Sequence, residues 1–227
     1  MCLIDMGHAL HGYGADITCC YPTDGVFTEK QAQIYNLVLK ANRTVMANMK
    51  PGVKWPDMHI LAERVILQGL KELGIVKDKD LDEMIEKRVG FAFMPHGLGH
   101  LLGLDVHEVG GYCGHHPARS DKWGLKNLRT SRELEENMVI TVEPGCYFIK
   151  SLLESKEVDI GVNIDEYINV ELAMEYAKEV AGVRIEDDVV VTADGIRNIT
   201  TVPRTVEQIE ACMRGEDWTT LPDYVLS

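Results

Sequence analysis

The stretch that decides the reading is Phe93-Met94-Pro95-His96-Gly97-Leu98-Gly99-His100. His96 and His100 have the spacing of a zinc-protease helix. No glutamate follows His96, however, and Gly97 and Gly99 are poor helix residues. The stretch therefore reads as a glycine-rich loop or strand that brings backbone and imidazole close to a partner. His107 follows in Asp105-Val106-His107, so three of the chain's eight histidines fall within twelve residues. A lone histidine is usually structural; three beside such glycines point as readily to a site.

Upstream, Asp5 and Asp16 lie 16 − 5 = 11 residues apart. Residues 2–5 and 16–20 read as short strands around a link containing Gly7, Gly12 and Gly14, so a hairpin is expected. It would bring both carboxylates to one face, although strand-end aspartates more often cap turns. Downstream, Glu143 ends the apolar strand Met138–Val142, and Glu186 lies inside a strand expected over Ala181–Thr192. A carboxylate in an otherwise apolar strand should be paired or metal-bound, because an unpaired buried charge is costly. The structural alternative is a salt bridge to Arg184 or Arg129.

Taken together, Asp5, Asp16, Glu143 and Glu186 carry four negative charges, which match two divalent cations, and His100 completes the set. Two such cations repel each other, and bridging carboxylates offset that. Mostly oxygen donors with one nitrogen favour Mn²⁺, with Co²⁺ and Zn²⁺ also fitting. A cation pair of this kind acidifies water to hydroxide and polarises a carbonyl.

The rest of the chain supports one α/β or α+β domain over residues 1–227. Thr28 and Gln31 form a capping box for a helix whose apolar positions run from Ile34 to Met49, and Lys50-Pro51-Gly52 stops it. A second helix runs from Pro56-Asp57 to a cap at Gly74, and a third spans roughly 80–88. Residues 89–120 read as loops and short strands, 151–180 as a mostly helical insertion, and Thr205–Gly215 as a last capped helix.

A net charge of −13 argues against a nucleic-acid partner, which needs a basic face. No run of 18 apolar residues exists to cross a membrane. The six cysteines follow no CxxC spacing, and Met1–Asp5 does not read as a signal peptide, so free thiols in a cytoplasmic protein are expected.

The order Asp, Asp, His, Glu, Glu in Ile4-Asp5-Met6-Gly7, Ala15-Asp16-Ile17-Thr18, His96–His100, Val142-Glu143-Pro144-Gly145 and Arg184-Ile185-Glu186 resembles the pita-bread metallopeptidases, and most of all their prolidase branch. The likeness extends to Met49-Lys50-Pro51-Gly52, Val106-His107 with Gly110-Gly111-Tyr112, Leu128-Arg129-Thr130 and Val202-Pro203-Arg204-Thr205.

The resemblance implies a pita-bread fold and metal-dependent hydrolysis of Xaa-Pro dipeptides. It implies metal ligands at Asp5, Asp16, His100, Glu143 and Glu186, with Asp16 and Glu186 bridging. His96 and His107 become substrate-side histidines, Glu143 a proton shuttle, and Arg129 and Arg184 substrate-side cations. Arg129 is the expected carboxylate anchor, since a guanidinium binds a carboxylate at two points. The family forms homodimers. Aminopeptidase P-like cleavage and a metal-free binding module are the competing expectations; the complete ligand set favours the enzyme. The chain opens four residues before Asp5, so the family's first strands and helix, a further histidine and the N-terminal creatinase-like domain are expected to lie outside it. The strand at 2–5 would then keep one unpaired edge.

Overall fold

The computed structural model describes residues 1–154 and 162–224. Its first strand, Cys2–Met6 (β1), leads into a small exposed ribbon, Ala9–Leu10 (β2) against Tyr13–Gly14 (β3). Ile17–Tyr21 (β4) then returns antiparallel to β1, with Asp5 opposite Thr18. The expected hairpin is present, with an extra two-stranded tip. Asp16 lies in the link just before β4. Among the described residues β1 pairs only with β4.

Helix α1 spans Glu29–Asn48, closed at its N-terminus by the reciprocal Thr28–Gln31 capping box. Ile34, Val38, Ala41 and Val45 recur at helical spacing and are fully buried. They face α2, Trp55–Glu72, and the strands beyond. Burying a large apolar side chain contributes roughly 1.5–3 kcal/mol, so this stripe outweighs the helix's own weak propensity. One polar residue interrupts it. Buried Asn42 donates to the carbonyl of Val142 at 3.0 Å and of Ile185 at 3.4 Å. Those two residues immediately precede Glu143 and Glu186, so α1 fixes both points where a candidate ligand leaves its strand.

After α3, Leu81–Glu86, the chain runs through turns and loops to β5, Val139–Val142, and β6, Gly145–Tyr147. Short helices follow at Lys150–Leu153 (α4) and Ile164–Tyr167 (α5), then α6 at Val170–Glu179. The helical insertion expected over 151–180 is thus seen in three pieces, and its residues 155–161 lie outside the described residues. The remaining elements are β7 (Gly182–Arg184), β8 (Asp187–Val191), β9 (Ile196–Asn198) and α7 (Val206–Met213), the last with a capping box of Thr205 and Gln208. Strand β9 has no counterpart in the sequence reading.

The single strand expected over Ala181–Thr192 is two strands. β7 pairs with β6 and β8 with β5, all antiparallel, and the chain changes partner at Ile185-Glu186. The break matches one opposite it: between β5 and β6 lies Glu143-Pro144, and proline cannot donate to a ladder. The Glu186 N–H goes to the Thr18 carbonyl at 3.1 Å instead. Both glutamates therefore sit at facing strand ends, released from the pleat and aimed together. The described residues contain no helix long and apolar enough to cross a membrane.

Candidate metal centre

The decisive stretch is extended, lying beside β5. Thr141 N–H donates to the His100 carbonyl and Glu143 N–H to that of Leu98, each at 2.9 Å. This pairing explains Gly99: a Cβ there would stand 2.0 Å from the Thr141 carbonyl oxygen. The close approach carries His100 over the sheet. Its Nδ1 donates to the Leu101 carbonyl at 3.1 Å, which leaves Nε2 as the free donor atom for a cation. That Nε2 stands 3.3 Å from Asp16 and 3.5 Å from Glu143.

All five candidate ligands converge. Donor atoms lie within 4.8 Å of one another in three overlapping groups: Asp5, Asp16 and Glu186; His100, Glu143 and Glu186; and Asp16, His100 and His107. Asp16, His100 and Glu186 each belong to two of these groups. Glu186 is 2% exposed and Asp5 51%, so the cluster runs from the core to the surface.

The electrostatics call for cations. The only arginine or lysine bonded to these carboxylates among the described residues is Arg184, which donates to Asp5 at 2.5 Å and approaches Glu143 and Glu186 at 4.0 Å. Burial pushes the Glu143 carboxyl up to about 7. Burial, with Glu143's charge added, pushes Glu186 to about 9. Asp16 is held below its ordinary value by its hydrogen bond with His100. Burial alone would lower His100, but Asp16, the Leu101 carbonyl and Glu143 raise it overall. An oxygen-rich set with one imidazole, short of positive charge, fits two divalent cations.

Both glutamates have folded values above the ordinary 4.5, so near neutral pH the metal-free fold holds protons on this pair that free carboxyls would have lost. Loading cations is expected to release at least one proton per chain at pH 7, and apparent affinity should climb as pH rises toward about 9. Raised carboxyl values also mean that the metal-free fold loses stability as pH rises from 4.5 through about 9. Calorimetry in buffers of different ionisation enthalpy reads the protons; a pH-independent affinity between 6 and 9 would contradict it.

The other predicted residues divide between two places. His107 stacks edge-on to His100 with ring centroids 4.4 Å apart, and burial first, then its neighbours His100 and Arg129, hold it below its ordinary value. His96 donates from Nδ1 to the Gly97 carbonyl at 2.8 Å, and its Nε2 meets the Tyr147 hydroxyl at 3.0 Å. Burial lowers it to about 4, so it is neutral at pH 7. A cavity of about 460 Å³ opens between His96, His107, Glu143 and Arg129. Arg129 has no carboxylate within 4.0 Å among the described residues. Arg184, by contrast, has its donors on Asp5, Thr18 and Tyr147.

Several supporting residues escaped the sequence reading. Thr18 donates to Glu186 at 2.5 Å, and the Thr141 hydroxyl to Glu143 at 3.2 Å while accepting from the His100 N–H at 3.0 Å. Asp188 accepts from the Asp16 N–H at 3.1 Å. Arg204, buried, grips Asp187 at 2.6 Å and the carbonyls of Thr18 and Glu186, tying β4 to β8. The signal for Arg204 was present in Val202-Pro203-Arg204-Thr205; the threonines look like ordinary strand residues.

This acidic, histidine-bearing cluster at facing strand breaks lies within residues 1–193, which match the profile of metallopeptidase family M24: the chain belongs to that family. It is 50% identical to the Xaa-Pro dipeptidase of Mus musculus over 98% of its own length, and 50% identical to that of Homo sapiens over 96%. It spans 44% and 43% of those relatives. Among solved structures it is similar to the aminopeptidase PepP of Pseudomonas aeruginosa, at 37% identity and a TM-score of 0.71, covering 94% of this chain and 41% of that one. It is equally similar in fold to a zinc-substituted Escherichia coli aminopeptidase P in complex with product, at 36% identity and a TM-score of 0.71, with the same coverages. The fold is therefore the pita-bread fold of these enzymes, over part of their length.

Proposed function

We propose that the chain hydrolyses Xaa-Pro dipeptides with two divalent cations, Mn²⁺ first among them. The observation that carries this is one cavity that meets the candidate ligands through Glu143 and His100 on one side and carries on another a cationic wall, Arg129 foremost, with no carboxylate partner among the described residues. A dipeptide presents a scissile carbonyl and a free carboxylate a few ångströms apart, and such a cavity receives both.

In this reading Asp5, Asp16, His100, Glu143 and Glu186 hold the cations, with Asp16 and Glu186 shared. The cations supply carbonyl polarisation and acidification of water. His107 hydrogen-bonds the substrate around the scissile carbonyl; His96, neutral and with its ring nitrogens on the Gly97 carbonyl and the Tyr147 hydroxyl, lines the substrate side and reaches the substrate only by giving up one of those contacts. Tyr147 accepts from Arg184 and donates to His96, which sets the ring. Glu143, its carboxyl raised toward neutrality by burial, takes up and returns the proton. Arg184 steadies Asp5, and Arg129 receives the carboxylate. We also assign the chain to a homodimer and a cytoplasmic setting; its six free cysteines suit a reducing compartment.

Turnover of Gly-Pro by Mn²⁺-loaded protein, beside Gly-Pro-Ala, is the test. Faster cleavage of the dipeptide, abolished by chelation, is expected. Preference for the tripeptide would make the chain an aminopeptidase P-like enzyme, and no turnover with two ions bound would make it a binding module.

A further inference from the structure

The cavity's cationic wall is held by an arrangement that the proposed chemistry does not use. Arg119, Lys126 and Arg129 all line the cavity. The guanidinium of Arg119 lies over the Tyr112 ring, its Cζ 4.1 Å from the centroid. From there its Nη1 donates to the Lys126 carbonyl at 3.0 Å and to the Leu128 carbonyl. The Tyr112 hydroxyl reaches the same Leu128 carbonyl at 2.9 Å and Ser131 Oγ at 3.0 Å.

The Leu128 carbonyl belongs to the peptide that carries the Arg129 nitrogen. A carbonyl oxygen has two lone pairs. Here Tyr112 and Arg119 take both, so that peptide plane has no freedom to turn without breaking a bond. The neighbouring backbone is confined as well. A Cβ on Gly97 would come within 2.9 Å of Leu128 Cα, and one on Gly111 within 2.0 Å of the Arg129 carbonyl oxygen. The Arg129 segment is thus pressed between the histidine stretch and the Gly110-Gly111-Tyr112 loop. Thr130 ties it further by donating to the Gly111 carbonyl at 3.3 Å.

We infer that Arg119, acting with Tyr112, is a positioning residue for Arg129, and that the cavity's discrimination for a free carboxylate depends on it. This rests on the proposed role of Arg129. A bidentate guanidinium–carboxylate pair tolerates little misplacement, so a backbone that can turn converts it into a looser, single-point contact. The planar fork of Arg119 is what a lysine cannot reproduce, although a lysine keeps the charge.

The test is calorimetric binding of N-acetylproline and N-acetylprolinamide to the Mn²⁺-loaded full chain. The parent should bind the acid more tightly, and R129A should remove that margin by roughly tenfold or more. R119K and Y112F should each shrink the margin by about threefold or more, with amide affinity unchanged; both variants are conservative and Arg119 is exposed. If R129A removes the margin while R119K and Y112F keep it within about twofold, or lower acid and amide alike, the inference fails and the role of Arg129 stands. If the parent shows no margin, or R129A keeps it, the carboxylate role of Arg129 fails and the inference falls with it.

Discussion

Replacing Asp16 with asparagine is expected to take the chain from two bound divalent ions to none, and to cut turnover by on the order of a thousandfold or more. Asp16 is in two of the three donor groups, beside Asp5 and Glu186 in one and beside His100 in the other. Removing its charge leaves three carboxylates to balance two divalent cations that repel each other. Lewis-acid stabilisation is worth several kcal/mol, and about 1.4 kcal/mol is a factor of ten in rate. The scaffold should survive: the bond from the Asp16 N–H to Asp188 uses the backbone, and the hairpin register does not involve the side chain. Elemental analysis beside circular dichroism checks this. A folded Asp16→Asn chain that keeps one tightly bound ion would show that the two sites fill independently and that Asp16 does not bridge.

The fold elements that were legible in the sequence are those fixed locally. Helix α1 announces itself through the Thr28–Gln31 box and an apolar stripe that ends at Lys50-Pro51-Gly52, and the structure agrees within a residue or two. Helix α2 and its stop at Gly74 are of the same kind, the glycine adopting a φ of +74°. The break between β7 and β8 is not local. Nothing in Val183-Arg184-Ile185-Glu186-Asp187-Asp188 interrupts a strand pattern; the interruption comes from Pro144, forty-odd residues away, and from Thr18 accepting the Glu186 N–H. Strand β9 escaped for a similar reason, since Ile196–Asn198 is too short and polar to read as a strand without β8 beside it.

The site divides the same way. Four carboxylates and a histidine in a fixed order can be read as a charge balance before any contact is known. What holds them cannot. Asp187 reads like Glu186 and Asp188 in the chain, yet it is fully buried against Arg43 and Arg204 and serves the scaffold, at 2.7 and 2.6 Å. Arg129 and Arg184 likewise look alike as lone arginines near motifs. The structure separates them: Arg184 is spent on Asp5, Thr18 and Tyr147, while Arg129 faces the cavity with no carboxylate partner among the described residues.

That difference sets the second large effect. Arg129→Ala is expected to lower kcat/KM for Gly-Pro by roughly ten- to a hundredfold, the worth of a charge-assisted hydrogen bond of about 1.5–3 kcal/mol. For the C-terminally amidated dipeptide the loss should be under about threefold, because a neutral amide gains little from a guanidinium. Cation content should stay at two, since Arg129 contacts none of the five candidate ligands. Arg184→Ala offers the contrast: it removes the one arginine or lysine bonded to Asp5 among the described residues and should weaken acid and amide substrates alike, with a change in cation affinity. Kinetics of both variants on both substrates, beside metal analysis, separates carboxylate recognition from upkeep of the metal centre. Equal losses on the two substrates in Arg129→Ala would move the carboxylate contact to another residue of the wall, and unchanged kinetics would remove the dipeptidase reading's main support.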